Sequence, residues 1–326
     1  MKVSIFTEGG KKFGYGHVVR CLAIAEALNE LGCVVDFFIN GEIDVENLMP
    51  NFKCHLGPWV ENPNKDFGDF VIFDSYHVSM NQMQHISGGR KVLFIDDYQR
   101  FEYPEDSWIL NACPGISSEI YPKNDNVLLG TRYLPLRKEF WDISSMYKRK
   151  FNDIGKILVM FGGSDINNQA PRITRLLLEL CTDAEIISVQ GKNSRSLIEM
   201  NNLANVEDRV KILVEPKINE LIDCMCVVDL AISAAGQTLQ ELACLGLPTI
   251  AIQVADNQSS NIKGWSDSGV VVPIISHYSE DFRGKLINAL ETLSSSEIRR
   301  KLSYKARQIV DGQGARRLVK RVLQNT

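Results

Sequence analysis

The sequence contains no run of about 18 apolar residues, so no membrane-crossing helix is expected. It contains no C-x-x-C pair, and its eight cysteines (21, 33, 54, 113, 181, 224, 226 and 244) match no zinc framework. Most of them sit in apolar runs such as Cys224–Val228, which reads as reduced core cysteine in a cytoplasmic protein. There is no surplus of positive charge: 36 Lys and Arg against 40 Asp and Glu give a net charge of -4, which argues against general nucleic-acid binding. Short repeats and low-complexity tracts are missing, and 44% hydrophobic with 23% charged residues excludes collagen, coiled coil and wholesale disorder. The opening stretch Met1–Phe6 lacks the apolar core of a secretory leader and reads as a first strand.

What is present is an alternating pattern over 326 residues, a length that suits two domains. Residues 2–7 form an apolar strand, and Cys21, Leu22, Ile24, Ala25, Leu28 and Leu31 then recur with helical period up to Gly32. Further wholly apolar runs follow at 33–39, 70–73 and 92–95, the last two ending in Asp74 and in Asp96-Asp97. Runs of this kind suit buried parallel strands. A polar stretch at 142–155 reads as a linker, after which Lys156–Phe161 restarts the pattern, with strands at 185–189, 209–214, 227–233 and 248–252. Beyond Ser279 the chain reads as helical. The expectation is an α/β protein of two doubly wound, Rossmann-like domains, 1–140 and 153–326, the second carrying the helical C-terminus. The segment Arg299–Arg321 holds nine basic residues against one acid. It reads as a solvated helix face, with a membrane-surface patch or a field for an anionic substrate as alternatives.

Ligands of open parallel sheets bind beyond the carboxyl ends of the strands. Four motifs fall there. Gly14-Tyr15-Gly16-His17-Val18-Val19-Arg20 follows the first strand; its glycines let the backbone approach a ligand, and the helix start offers N–H groups to an anion. His17 is placed to take a proton from water or a hydroxyl, or else to cap the turn. Val19 stands where the dinucleotide fingerprint requires glycine. Gly162-Gly163-Ser164-Asp165 follows the restart strand and is either a phosphate-approach turn or a plain strand–helix turn. Ser233-Ala234-Ala235-Gly236-Gln237-Thr238 leads into a helix whose amides can face a diphosphate, with Glu241 one turn inside to accept ribose hydroxyls or to face solvent. Asp256-Asn257-Gln258 offers side-chain amides to a sugar, or an N-cap to the next helix. Asp74, Asp96 and Asp97 can reach the same region, to assist His17 or to bind a metal, although they form no tight D-x-D pair; Asp74-Ser75-Tyr76 is the better candidate for contacting substrate. His55, His77, His85 and His277 have no motif around them.

In this order the motifs resemble the bacterial nucleotide-sugar hydrolases of the pseudaminic acid pathway, which remove UDP from UDP-2,4-diacetamido-2,4,6-trideoxy-β-L-altropyranose. The resemblance covers most of the chain: GYGHVVRCLAIAEAL at 14–28, FDSY at 73–76, IDDY at 95–98, LLGTRYLPLRKEF at 128–140, FGGSD at 161–165, DLAISAAGQTLQELACLGLP at 229–248, ADNQ at 255–258 and DGQGARRLV at 311–319. It implies a GT-B-like fold, two Rossmann-like domains facing a central cleft. It implies that His17 is the general base for water attack at the anomeric carbon, with inversion, no metal and no cofactor. It places Gly236, Thr238 and Glu241 at UDP, Asn257 and Gln258 near the diphosphate or sugar, and Tyr76 near the sugar. Gly14, Gly16, Arg20, Gly163, Ser164, Ala235 and Gln237 complete the expected substrate-binding set. The partner implied is a UDP-sugar, handled by a monomer or weak homodimer. The loop after strand one departs from the family's arginine and aspartate, reading Thr7-Glu8-Gly9-Gly10-Lys11-Lys12, so a different sugar-facing surface is expected. The alternative reading is a GT-B glycosyltransferase with a lipid or glycan acceptor, since the C-terminal half also resembles the lipid-linked peptidoglycan transferase.

Overall fold

The computed structural model describes residues 1–10, 12–61, 67–143, 147–165, 167–255, 258–276 and 278–324. The chain divides into two compact units, Met1–Trp141 with Gly312–Thr326, and Asp142–Asp311.

In the first unit, seven parallel strands form one sheet: β1 (Lys2–Glu8), β2 (Val34–Asn40), β3 (Lys53–Leu56), β4 (Phe70–Asp74), β5 (Lys91–Ile95), β6 (Trp108–Asn111) and β7 (Val127–Leu129). Their order is β3-β2-β1-β4-β5-β6-β7, so the winding reverses between β1 and β4. Among the described residues, α1 (Gly16–Glu30), α2 (Val45–Leu48) and α3 (Met80–Ser87) join them. Alternation along the strands divides the core between the two faces. On one face Val3, Ile5, Phe37, Ile72 and Leu93 pack with the apolar side of α1. On the other, register sets Phe38, Phe6, Phe73 and Phe94 side by side on neighbouring strands. Their rings stack at centroid separations of 4.9, 5.0 and 5.7 Å. Each fully buried ring contributes about 1.5–3 kcal/mol from area alone, which pins the register of β1 against β4.

The C-terminal helix, Gly314–Gln324, corrects the expected domain boundary. Its stripe of Ala315, Leu318, Val319 and Val322 completes the α1 side of the first core, and Arg316 forks onto Glu30 of α1 through Nε and Nη2, each at 2.8 Å. The helix is amphipathic and its stripe needs an apolar partner; sequence order assigned it to the second domain, but the matching surface is on α1. Other bases of this segment are also engaged in packing. Arg299 is buried and donates to the Asn152 carbonyl at 2.6 Å, Arg307 donates to the Tyr147 carbonyl at 2.6 Å, and Arg317 to the Arg132 carbonyl at 2.8 Å.

Also in the first unit, the Glu26 carboxylate accepts from the Lys138 amide at 3.2 Å, at the start of a short 3-10 turn, Lys138–Phe140, that has no side-chain cap of its own. Burial, with Glu139 nearby, pushes the Glu26 carboxyl up to about 7. A raised carboxyl pKa gives stability that is full at low pH and is lost as pH rises toward 7. Glu26→Gln is therefore expected to unfold at a higher temperature than the parent at pH 8, with the difference gone by pH 4, in melts followed by circular dichroism.

The second unit repeats the plan with six parallel strands: β8 (Lys156–Met160), β9 (Glu185–Gln190), β10 (Val210–Val214), β11 (Leu230–Ala234), β12 (Thr249–Gln253) and β13 (Val272–Ser276). The order β10-β9-β8-β11-β12-β13 places the reversal between β8 and β11. Its helices include α4 (Gln169–Leu180), α5 (Leu197–Val206), α6 (Ile218–Val227), α7 (Gln237–Cys244), α8 (Ser259–Ser268), α9 (Phe282–Ser294) and α10 (Ser296–Ile309). The polar stretch read as a linker is partly ordered against this unit. Arg149 donates to the Met225 carbonyl at 2.8 Å, and the amides of Gly155 and Lys156 both donate to Asp229 at 2.8 Å. All eight cysteines are free. No helix among the described residues is long and apolar enough to cross a membrane.

Candidate functional site

In the first unit the reversal point is where the chemistry collects. β1 ends in Glu8 and β4 in Asp74, paired in register with Thr7, and α1 begins just beyond. The chain between β1 and α1 turns tightly: Gly10 and Gly14 exchange both backbone hydrogen bonds at 2.9 and 2.8 Å, and Gly14 takes φ +77°, a conformation that costs glycine nothing. α1 then starts at Gly16, and His17 and Arg20, one turn apart, face the ends of β4 and β5.

His17 Nδ1 lies 2.7 Å from Asp74 Oδ1. Asp74 is fully buried and accepts from Arg20 as well, Nε to Oδ2 and Nη2 to Oδ1, both at 2.6 Å. Burial alone would neutralise this carboxyl; Arg20 and His17 outweigh it and hold Asp74 well below the usual carboxylate range. For Arg20 too, burial opposes the charge, but Asp74 and Asp97 outweigh it and raise the guanidinium above its ordinary value. Arg20 Nη1 completes the pair by donating to both Asp97 oxygens at 2.8 and 2.9 Å. An ionised Asp74 can only accept at 2.7 Å, so the proton of the neutral imidazole is assigned to Nδ1, and Nε2 carries the lone pair. Nε2 lies 3.9 Å from Glu8 Oε1.

Tyr76 closes the other side of the imidazole. Its ring meets His17 edge-on at 4.4 Å, its hydroxyl donates to Asp97, and the Arg100 guanidinium sits 4.9 Å from its ring centroid. Burial and Asp97 push the Tyr76 phenol far above its ordinary value, so it remains a hydroxyl. Cys21 lies below Asp74, Sγ to Oδ2 3.5 Å; burial, with Asp74 adding to it, raises the thiol and leaves it unreactive.

The expected residues of the first unit thus come together. Gly14 and Gly16 shape the turn, and His17 and Tyr76 touch. Arg20, expected at substrate, has its guanidinium engaged by Asp74 and Asp97. Sequence reasoning did not foresee Glu8 as an anchor. It is wholly buried at the end of β1 and accepts from Ser75 Oγ at 2.7 Å, the Tyr76 amide at 2.9 Å and His77 Nδ1 at 2.9 Å. That also gives His77 a context its sequence surroundings lacked. The available signal was the placement of Glu8 and Asp74 at the ends of two apolar runs.

In the second unit, the motifs after β8 and β11 lie at the carboxyl ends of adjacent strands. Gly163 and Ser164 are exposed, while buried Asp165 accepts from the Gln169 and Ala170 amides at 2.9 Å and so caps α4. A Cβ on Gly191, after β9, would stand 2.1 Å from the Gly163 carbonyl oxygen, so these two loops can approach only through glycine. Ala235 is buried, its amide donating to the Ile252 carbonyl at 3.3 Å, and Gly236 opens α7 with no side-chain cap. Gln237 and Thr238 are half-buried on the first turn of α7, and Glu241, one turn on, is 5% exposed. The solvent-facing alternative for Glu241 is therefore excluded. Gln258 turns inward and accepts from the Val254 amide at 3.1 Å; Asn257 lies outside the described residues. The described residues contain no cluster of three or more His, Cys, Asp or Glu that could hold a metal ion.

Two Rossmann-like units with parallel, doubly wound sheets define a protein of the GT-B-like class. Along its whole length the fold matches the crystal structure of MurG from Acinetobacter baumannii, with a TM-score of 0.70, 18% identity and full coverage of both chains. No family model matches the sequence. By sequence the chain is 26% identical to SpsG, a spore coat polysaccharide biosynthesis protein of Bacillus subtilis, over 96% of this chain and 95% of that one. It is 24% identical to the pseudaminic acid cytidylyltransferase and UDP-2,4-diacetamido-2,4,6-trideoxy-β-L-altropyranose hydrolase of Helicobacter pylori, over 83% of this chain and 48% of that one. It is 22% identical to the UDP-2,4-diacetamido-2,4,6-trideoxy-β-L-altropyranose hydrolase of Campylobacter jejuni, over 83% of this chain and 98% of that one. The chain spans about half the length of two curated relatives it matches. It is a GT-B-like relative of the UDP-2,4-diacetamido-2,4,6-trideoxy-β-L-altropyranose hydrolases and of SpsG.

Proposed function

We propose that the chain is a UDP-sugar hydrolase, releasing UDP from a UDP-2,4-diacetamido-2,4,6-trideoxy-hexose in a nonulosonate pathway of the pseudaminic acid type. The observation that carries this reading is the 2.7 Å contact between His17 Nδ1 and buried Asp74, which leaves Nε2 as a base at a glycine-rich turn. In the proposed step Nε2 takes a proton from water as the water oxygen bonds to the anomeric carbon and the bond from that carbon to the UDP oxygen breaks, inverting the centre. The imidazolium that forms is balanced by Asp74, which Arg20 keeps ionised; Arg20 and Asp97 act as positioning residues. UDP leaves with its charge on the diphosphate, and the second unit supplies its site: the uncapped start of α7 at Gly236, Gln237 and Thr238 for phosphate, the loop of Gly163 and Ser164 beside it, and Glu241 for the ribose. Asn257 and Gln258 are assigned to the diphosphate or sugar, with the Gln258 carbonyl oxygen already engaged by Val254. No metal or cofactor is needed for this chemistry.

The GT-B-like fold also serves sugar transferases, and a transferase with a lipid or glycan acceptor is the second reading, favoured by the full-length match to MurG. A panel of UDP-sugars, incubated with the protein in EDTA and without acceptor, separates the two. Release of UDP and free sugar at a rate proportional to protein supports the hydrolase. UDP release that appears only after an acceptor lipid or glycan is added establishes the transferase instead.

A further inference from the structure

One strained turn beside His17 is left unused by the proposed chemistry. Residues 96–100 follow β5, and fully buried Asp96 holds the turn: it accepts from the Tyr98 and Arg100 amides at 3.4 and 3.3 Å and from Tyr121 Oη at 2.7 Å. Gln99 sits at φ +56°, with its amide on Tyr121 Oη at 3.2 Å. A non-glycine residue held in that region costs energy and persists only where its surroundings fix it. The turn sends its side chains to two places. Asp97 points inward to Arg20 and Tyr76, whereas Tyr98 is 48% exposed with its ring 5.6 Å from that of Tyr76. Tyr76 in turn meets His17 at 4.4 Å, so an aromatic surface runs from the imidazole outward to Tyr98.

We propose that Tyr98 is a specificity-determining residue for the sugar, forming with the Tyr76 ring a shelf for a face of the sugar that carries a methyl group instead of a hydroxyl. This rests on the UDP-sugar reading above. An aromatic face gains from covering C–H groups but offers no strong hydrogen-bond partner above the ring, so a hydroxyl pressed against it loses water without full replacement. The Tyr76 hydroxyl is already committed to Asp97, which leaves only its ring for a ligand. Tyr98 lies at the outer end, where it cannot assist the proton transfer, and so acts on which sugar binds.

The test uses UDP-N-acetylglucosamine and its 6-deoxy counterpart, with Tyr98→Ala and Tyr98→Phe. The parent protein is expected to favour the 6-deoxy sugar about 10-fold or more, in the range one methyl-sized difference gives in an apolar site. Tyr98→Phe keeps that ratio, and Tyr98→Ala brings it within about twofold of unity, while affinity for UDP alone stays unchanged. The ratio is read as kcat/KM and, independently, as Kd by calorimetry. A protein that binds both sugars but releases no UDP counts against the hydrolase reading and leaves this ratio measurable. An unchanged ratio in Tyr98→Ala, no preference in the parent, or an equal loss of UDP affinity overturns the assignment.

Discussion

His17→Ala is expected to lower turnover by about 10²–10⁴-fold, the span that a positioned general base contributes, while leaving UDP affinity within a factor of two or so of the parent. The two parts of this expectation have separate structural origins. The imidazole is held at Nδ1 by Asp74, so its removal takes away the one base that the proposal assigns to water. The groups assigned to UDP lie on α7 and on the loop after β8, in the other unit. Folding should survive, because the Asp74 charge remains forked by Arg20 through two hydrogen bonds of 2.6 Å. Initial rates on a turned-over UDP-sugar and calorimetric titration with UDP read the two quantities. Unchanged turnover would remove His17 from the chemistry.

Asp74→Asn is expected to damage both catalysis and stability. An amide at this position can donate to Nδ1, which favours the wrong imidazole tautomer, and at a comparable orienting aspartate that change costs about 10⁴-fold. It also leaves the buried Arg20 guanidinium with Asp97 alone. Removing one member of a buried ion pair costs about 3–5 kcal/mol. The pH dependence follows from the depressed Asp74 carboxyl. A group whose pKa is lowered on folding stabilises fully above its unfolded value and loses that contribution as pH falls toward the folded one. The parent should therefore lose stability below about pH 4, and Asp74→Asn, lacking this group, should lose less over the same range. Urea midpoints of parent and variant at pH 7 and pH 3.5 measure this. Equal midpoints at pH 7 would show that the charge cluster contributes nothing to stability.

Much of the fold was readable because buried parallel strands need unbroken apolar runs. β1, β2, β4, β5, β8, β9, β10, β11 and β12 announce themselves that way. β3 and β7 did not, since they are short strands at the sheet edges, and Lys53 and Leu56 of β3 are exposed. β6 is four residues long and β13 is five residues long and includes Pro273, so neither offered a periodic signal. His17 and Asp74 were both nominated from sequence, and Asp74 was one of three aspartates placed to assist His17; which of the three does so was not legible. His17 and Asp74 lie 57 residues apart and meet because β4 lies beside β1. Glu8 read as part of the loop after strand one; burial at the end of β1 makes it an anchor for three donors. The C-terminal helix shows the same limit. Its helical character was legible, but which core it completes depends on the surface that α1 leaves open.

The most direct test of the central claim is to run the reaction in H₂¹⁸O with no acceptor and locate the label by mass spectrometry. Attack of a His17-activated water on the anomeric carbon predicts one ¹⁸O in the free sugar and none in UDP. Label in the phosphate of the nucleotide product, or no turnover until an acceptor is supplied, would contradict it.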